Sequence, residues 1–448
     1  MDSLEFFTRL VASQKAGIPR GIGSVCSAYR TVIEAAFLQA SRDGLPVLIE
    51  STVNQVNQLG GYTGMTPEGF RDFLCAAADE RGFPRERIFI GGDHLGPYPW
   101  RAEPAAKAMA KSCNLVAASV RAGYVKIHLD ASMPLGGDEK DSDGGLDPRI
   151  IADREAELAA AAESAFQGLA HSGARASPPV YVIGTEVPAP GGIVSEAGAV
   201  PVTRVDDFQK TVSLCRESFK ARGIEEAWPR VIAVVAQPGV EYGDRQIHLY
   251  DRQAASDLCA AARRVPGLVL EGHSTDYQPP DLLRMLVEDG VAILKVGPAL
   301  TFALRECLFG LESIERELLG GRQGVRLCGL SGALDGAMLA NPAHWRGYYT
   351  GPDEDQLVAR RFSFSDRSRY YWLVPEVRAS VSTLMDNLQR TGIPLTLLSQ
   401  YLPAHVGGVR EGRIAAAPAA LLHESVCRVL RDYSCAAGGE SAGGEAAG

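Results

Sequence analysis

The sequence predicts an α/β protein, a (β/α)8 barrel followed by a mostly helical C-terminal extension. Three observations carry this. Eight short apolar runs end in polar residues, as buried parallel strands do. A helical pattern follows each run, the alternation that lays helices outside a parallel sheet. No GxGxxG fingerprint opens a helix after the first run, which favours the closed barrel over a doubly wound open sheet built from the same alternation.

The first run covers 21–26, and the Ala- and Leu-rich helix over 28–42 stops at Gly44, a C-cap residue. The second run, 46–50, ends on Glu50. Its helix opens at Thr66-Pro67-Glu68, a capping hydroxyl followed by proline at the first helical position. The third, IFIGGDH at 88–94, feeds a helix over 103–120. The fourth, 124–130, feeds 148–171, and the fifth, 180–186, feeds 205–222. Runs at 231–237, 268–273 and 291–297 lead to helices over 251–264, 279–289 and 300–319. The alternation stops near residue 322. The chain therefore divides into a barrel (1–321), an extension (322–435) read as a cap over one barrel face, and a low-complexity tail (436–448) expected to be disordered.

Composition excludes several functions. The 448 residues are 46% hydrophobic and 22% charged, enough for a large core. Lys+Arg 45 against Asp+Glu 54 gives −9 with no basic block, which argues against nucleic-acid and membrane-surface partners. Nine scattered cysteines without a CxxC pair make neither a disulfide framework nor a thiolate zinc site. The first 20 residues hold no signal-peptide core, and no apolar run approaches the ~20 residues of a membrane span, so a cytoplasmic protein is expected. No GxxxxGK[ST] loop is present, so no nucleotide cofactor is expected.

Polar residues at the carboxyl ends of barrel strands are the default catalytic candidates. The runs deliver Glu50 with Asn54 and Gln55, then Asp93-His94, His128 and Asp130, Glu186, Gln237, His273 with Asp276, and Lys295. His94 and His273, with a carboxylate from Glu186 or Asp130, suit one divalent cation whose open position polarises a sugar carbonyl or hydroxyl. Asp93 is placed to transfer a proton. Lys126, His128 and Asp130 share a face by period two, as interior ion pairs or as ligand contacts. Lys295 reads as a salt-bridge partner before a Schiff-base lysine. A hydrogen-bonded structural role is the plain alternative for each histidine alone. The 48 glycines cluster beside these positions, at 60–61, 91–92, 136–137, 144–145 and 191–192, where tight turns or close backbone approach require them.

The segments VCSAYRTVIEAA (25–36), IESTVNQVNQLGGYTGMTP (49–67), GGDHLGP (91–97), KIHLDASM (126–133), VIGTEVPAPGG (182–192), VVAQPGVEY (234–242), GHSTDYQ (272–278), ILKVGPALTFALRE (293–306), SDRSRYYW (365–372) and IPLTLLSQYLP (393–403) resemble the accessory, Z-type subunits of class II tagatose-1,6-bisphosphate aldolase, the GatZ/KbaZ family. The likeness runs from about 15 to 433. It implies a bacterial, class II aldolase-like barrel of ketohexose catabolism (galactitol, tagatose, N-acetylgalactosamine). It also implies an oligomeric assembly with a catalytic zinc aldolase subunit, and a small sugar or sugar phosphate as ligand.

Similarity to the class II aldolase barrel itself implies an acid at Asp93 and metal ligands at His94 and His273. Gln237 stands where a further histidine ligand is expected, and its amide oxygen is a poorer zinc ligand. Ser274-Thr275-Asp276 stands where a Gly-Gly-Ser phosphate loop is expected. The resulting candidates are Asp93, Glu186, Asp130 and Asp276 for catalysis. Glu50, Asn54, Gln55, His128, Lys295 and Ser274 are the candidates for ligand contact, and His94, His273, Glu186 and Gln237 for a Zn, Mn or Ni ion. The two departures favour an accessory role. The alternative is a metal-dependent ketohexose or ketohexose-phosphate 4-epimerase, or a retro-aldol enzyme, active by itself.

Overall fold

The computed structural model describes residues 2–139, 145–173, 176–184 and 200–439. Ten strands lie within them: β1 (Ile22–Val25), β2 (Val47–Thr52), β3 (Ile88–Leu95), β4 (Lys126–Leu129), β5 (Val180–Ile183), β6 (Val231–Val235), β7 (Glu241–Tyr242), β8 (Ile247–His248), β9 (Val269–Gly272) and β10 (Val291–Val296). Eight of them, all but β7 and β8, form one closed parallel barrel in chain order, and β1 pairs with both β2 and β10 to complete the circle. These eight are the runs anticipated from the sequence. Their residues are almost all buried because core packs on both faces of a barrel wall. The β7–β8 hairpin is an antiparallel insertion after β6.

Two elements outside the eightfold repeat complete the barrel. The helix Ser3–Lys15 precedes β1 and was not anticipated. Phe7, Leu10 and Val11 fall on one face by helical spacing and pack on Ile22, Leu48, Phe89, Ile232 and Ile293 at the amino ends of the strands. The Phe7 and Phe89 rings meet at a tilt of 44°, with centroids 5.9 Å apart. The helix thus stoppers the amino end of the barrel. Burying each such side chain contributes about 1.5–3 kcal/mol.

The C-terminal segment carries the helices Leu330–Ala340, Asp353–Phe362, Pro375–Thr391, Leu395–Tyr401, Val406–Arg410 and Pro418–Ala436. The expected cap describes only part of it. Its last helix packs on Arg30–Asp43, Pro280–Glu288 and Pro298–Leu319 and touches β1, so it belongs to the outer helical ring. Tyr433 reaches through and donates its hydroxyl to the Thr275 carbonyl at 2.7 Å. A short helical turn, Arg367–Tyr370, is the part that reaches the carboxyl rim. Residues 437–439 continue from the last helix, and Arg20 donates to the Gly438 carbonyl. The rest of the expected tail lies outside the described residues.

Candidate functional site at the carboxyl end of the barrel

The barrel interior holds two layers of charge. In the lower layer Lys126 of β4 stands 2.8 Å from Glu50 Oε1 and 2.7 Å from Glu271 Oε2, and all three side chains are completely buried. Lys295 of β10 bridges Glu50 at 2.8 Å, Asp93 at 2.8 Å and Glu271 at 3.4 Å. Ser24 adds a hydroxyl to Glu50 at 2.7 Å. Burial alone would lower the Lys295 pKa, but Asp93, Glu271 and Glu50 outweigh it and raise it well above the usual value. Lys295 is therefore a bridging cation here, as the salt-bridge reading anticipated. Gly91 makes room for this layer: a Cβ there would stand 2.7 Å from Glu50 Cγ.

Above it sit three imidazoles, His94, His128 and His273, with centroids 4.8–5.0 Å apart. Each has one nitrogen beside a carboxylate. His94 Nδ1 is 2.7 Å from Asp130 Oδ2, His273 Nε2 is 3.0 Å from Glu271 Oε1, and His128 Nδ1 is 3.2 Å from Asp93 Oδ1. His94 and His273, each giving a proton to its carboxylate, turn the lone pair of the second nitrogen inward, whereas His128 Nδ1 accepts the His94 backbone amide at 3.1 Å and leaves the ring proton on Nε2. His128 Nε2 is buried and has no hydrogen-bond partner among the described residues. One imidazole nitrogen or carboxylate oxygen from each of Asp93, His94, His128 and His273 lies within 4.8 Å of the others, a set of potential ligand atoms.

Burial lowers the pKa of His273 to about 4 and lowers His128 as well. For His94 burial acts the same way, but Asp93 and Asp130 outweigh it and raise its pKa. Asp130, despite burial, is held below the usual carboxylate range by its bond to His94. His94 adopts a left-handed conformation, φ 51°, as does Ser274 at φ 53°. Such backbone is costly for residues other than glycine and gathers at functional sites. Gly96 follows, where a Cβ would overlap the Asp130 carbonyl at 1.6 Å.

The upper layer opens into a cavity of about 90 Å³. Asn54, Gln55, Asp93, His94, His273, Ser274, Asp276 and Lys295 line it, as the sequence suggested; Glu50 lies just beneath. Asp276 is buried, which pushes its carboxyl up to about 6, and its Oδ1 accepts from the Gly297 and Ala299 amides at 2.9 and 2.8 Å. Gln237 stands apart. Its Oε1 accepts from the Gly239 and Val240 amides at 2.8 and 2.9 Å, so it shapes a turn and does not join the cluster. His128, expected to contact a ligand, is part of the histidine cluster instead. Glu186 lies outside the described residues.

Sequence reasoning missed Glu271, although it shares a strand face with His273 by period two. It also missed Tyr62, Tyr242, Arg369 and Tyr370 around the cavity mouth, which arrive from loops and from the distant C-terminal segment. A larger, mainly apolar hollow of about 260 Å³ lies at the other end of the barrel, between the Ser3–Lys15 helix and the last helix; its walls hold no comparable cluster of histidines and carboxylates.

Fold and site together define a (β/α)8 barrel with a buried histidine–carboxylate centre at its carboxyl end, where such barrels carry their ligand sites. The comparisons narrow this. The profile of the D-tagatose-1,6-bisphosphate aldolase subunit GatZ/KbaZ-like family matches residues 7–438, and the chain belongs to that family. It is 48% identical over 424 residues to the D-tagatose-1,6-bisphosphate aldolase subunit GatZ of Salmonella typhimurium, covering 95% of this chain and 97% of that one. The GatZ of Salmonella paratyphi B is 47% identical over 426 residues, with the same coverage of both chains. A crystal structure titled a probable tagatose 6 phosphate kinase, from Sinorhizobium meliloti 1021, superposes with a TM-score of 0.84 at 46% identity, covering 93% of this chain and 100% of that one.

Proposed function

We propose that this chain is the accessory subunit of a class II tagatose-1,6-bisphosphate aldolase in ketohexose catabolism, supporting the activity and stability of a separate catalytic zinc subunit. The observation that carries this reading is the 48% identity to a GatZ subunit along 95% of the chain. Exposed apolar side chains give such a partner something to cover: Leu339, Val358, Phe362, Leu373 and Leu395 all lie in the C-terminal helical segment. Among the described residues no helix is long and apolar enough to cross a membrane.

A divalent cation (Zn, Mn or Ni) suits the donor set of the histidine cluster, whose imidazole and carboxylate atoms lie within 4.8 Å of one another. His94, His273 and Asp93 would hold it, and when bound it would supply Lewis-acid polarisation of a sugar oxygen. The chain's own groups do the rest. Asp130 and Glu271 fix two of the rings, and His94 together with Lys295 holds Asp93 ionised despite its burial.

The test is co-expression with the catalytic subunit. Tagatose 1,6-bisphosphate cleavage is followed by coupled detection of dihydroxyacetone phosphate, for each chain alone and for both together. Added chain is expected to co-elute with the partner and raise its activity and half-life. Independent elution with unchanged activity would overturn the reading. Metal content of the purified chain after loading and desalting tests the cation separately: about one ion per chain is expected, lost in His94→Ala and His273→Ala.

A further inference from the structure

The SDRSRYYW segment places one cation at the cavity mouth that the proposed function leaves unused. Arg369 lines the cavity together with Tyr62, Tyr242 and Tyr370. Its Nη1 donates to the Asp366 carbonyl at 3.1 Å and to the Ser365 carbonyl, and its Nη2 donates to the Tyr370 hydroxyl at 3.1 Å. Among the described residues no carboxylate pairs with it, whereas the interior lysines each bridge two or more acids. A guanidinium carries five donors, so part of the fork faces the cavity unspent.

The turn that presents Arg369 is held at some cost. Asp366 adopts φ 41°, a left-handed conformation unfavourable for a residue with a side chain. It is fixed by the buried Arg305 at 2.8 Å, Thr301 at 2.5 Å and Ser368 at 2.9 Å. Such an arrangement positions Arg369, three residues on, more firmly than a surface loop would.

The part of the cavity wall formed by Gly297 and Pro298 is closed to anions. The helix Pro298–Leu319 points its amino end at the cavity, where free amides would bind a phosphate. Here Asp276 already takes the Gly297 and Ala299 amides and adds a carboxylate of its own. A second phosphate would meet that carboxylate in place of amides.

We infer that this cavity binds a sugar monophosphate, its phosphate on Arg369 and its hydroxyls toward the histidine cluster, and that Asp276 excludes a bisphosphate. The inference takes from the proposed function only that the ligand derives from a sugar. It is read on the chain alone, so its failure is distinct from failure to activate a partner.

The experiment is calorimetric titration of the purified full chain with D-tagatose 6-phosphate, D-tagatose 1,6-bisphosphate, D-tagatose and D-galacturonate. The monophosphate is expected to bind at least about tenfold tighter than the other three. Arg369→Gln should remove that advantage and leave D-tagatose within about twofold, while Arg369→Lys keeps the charge without the fork and retains part of it. Asp276→Ser should bring the bisphosphate to within about threefold of the monophosphate. Equal affinities for all four compounds overturn the inference, as does a bisphosphate preferred by the wild-type chain. Galacturonate binding as tightly as the phosphate ester would overturn the phosphate assignment. The wild-type series decides these points even if a variant fails to fold.

Discussion

Replacing Lys126 with methionine isolates the charge at the centre of the barrel. The two side chains have similar length, and the thioether keeps most of the apolar stem contacts. What changes is the electrostatics. Lys126 lies 2.8 Å from Glu50 and 2.7 Å from Glu271, each with no exposed surface. Without it, Lys295 alone faces Glu50, Glu271 and Asp93. A buried pair that loses one partner leaves the other charge unpaired in a poorly polarisable interior, which costs about 3–5 kcal/mol. Because two acids lose a bridge at once, the upper part of that range is expected.

Urea unfolding at neutral pH, followed by circular dichroism, measures the loss. Adding Glu271→Gln to the variant removes one uncompensated charge and should recover at least about 1 kcal/mol, a coupling that independent sites do not show. A Lys126→Met chain within about 1 kcal/mol of the wild type, or a double variant equal to the sum of its singles, would refute the reasoning.

Three further outcomes follow from the structure. Glu155 is buried against the Gly184 amide and the Cys215 thiol, and burial pushes its carboxyl up to about 8 from 4.5. The native state then holds a proton that unfolding releases, so wild-type stability falls as pH rises from about 4.5 to about 8, by up to ~1.4 kcal/mol per unit. Glu155→Gln should flatten that slope, which urea midpoints at pH 5.5 and 8.5 will reveal. Phe7→Ala empties the stopper at the amino end and should cost about 3–5 kcal/mol in the same unfolding assay, with ligand binding at the far rim unchanged. Tyr433→Phe removes the hydroxyl bond to the Thr275 carbonyl and leaves a buried acceptor short of a donor, for about 1–2 kcal/mol.

The barrel was legible in the sequence because each strand is an apolar run of ordinary length with a polar end, and strand interiors leave few alternatives. The β7–β8 hairpin was not, since two-residue strands carry no periodicity. The Ser3–Lys15 helix was missed although Phe7, Leu10 and Val11 repeat at helical spacing; it precedes the alternation and has no place in an eightfold count. Asp93, His94, His273 and Lys295 were found because they end strands. His128 was placed with the ligand contacts because one strand cannot reveal which rings meet across a barrel. Gln237 was drawn in by its position, and the local amides of Gly239 and Val240 claim its oxygen. Arg369 lies about 75 residues beyond the last barrel strand, and no spacing rule links it to the cavity.

The helix Pro418–Ala436 lies against β1 and beside the helices that flank the seam where the first and last barrel strands meet. It follows both strands in the chain by more than a hundred residues. During synthesis the circle of strands can form while this flank is still bare, with Ala35 and Arg42 of the Arg30–Asp43 helix lacking Cys427 and Glu424. The nascent barrel therefore waits, exposed along one side, until the ribosome has delivered residues 418–436. Such late closure slows folding and invites chaperone capture in the interval. A ribosome stalled before residue 418 would leave a protease-sensitive intermediate rather than a smaller finished barrel.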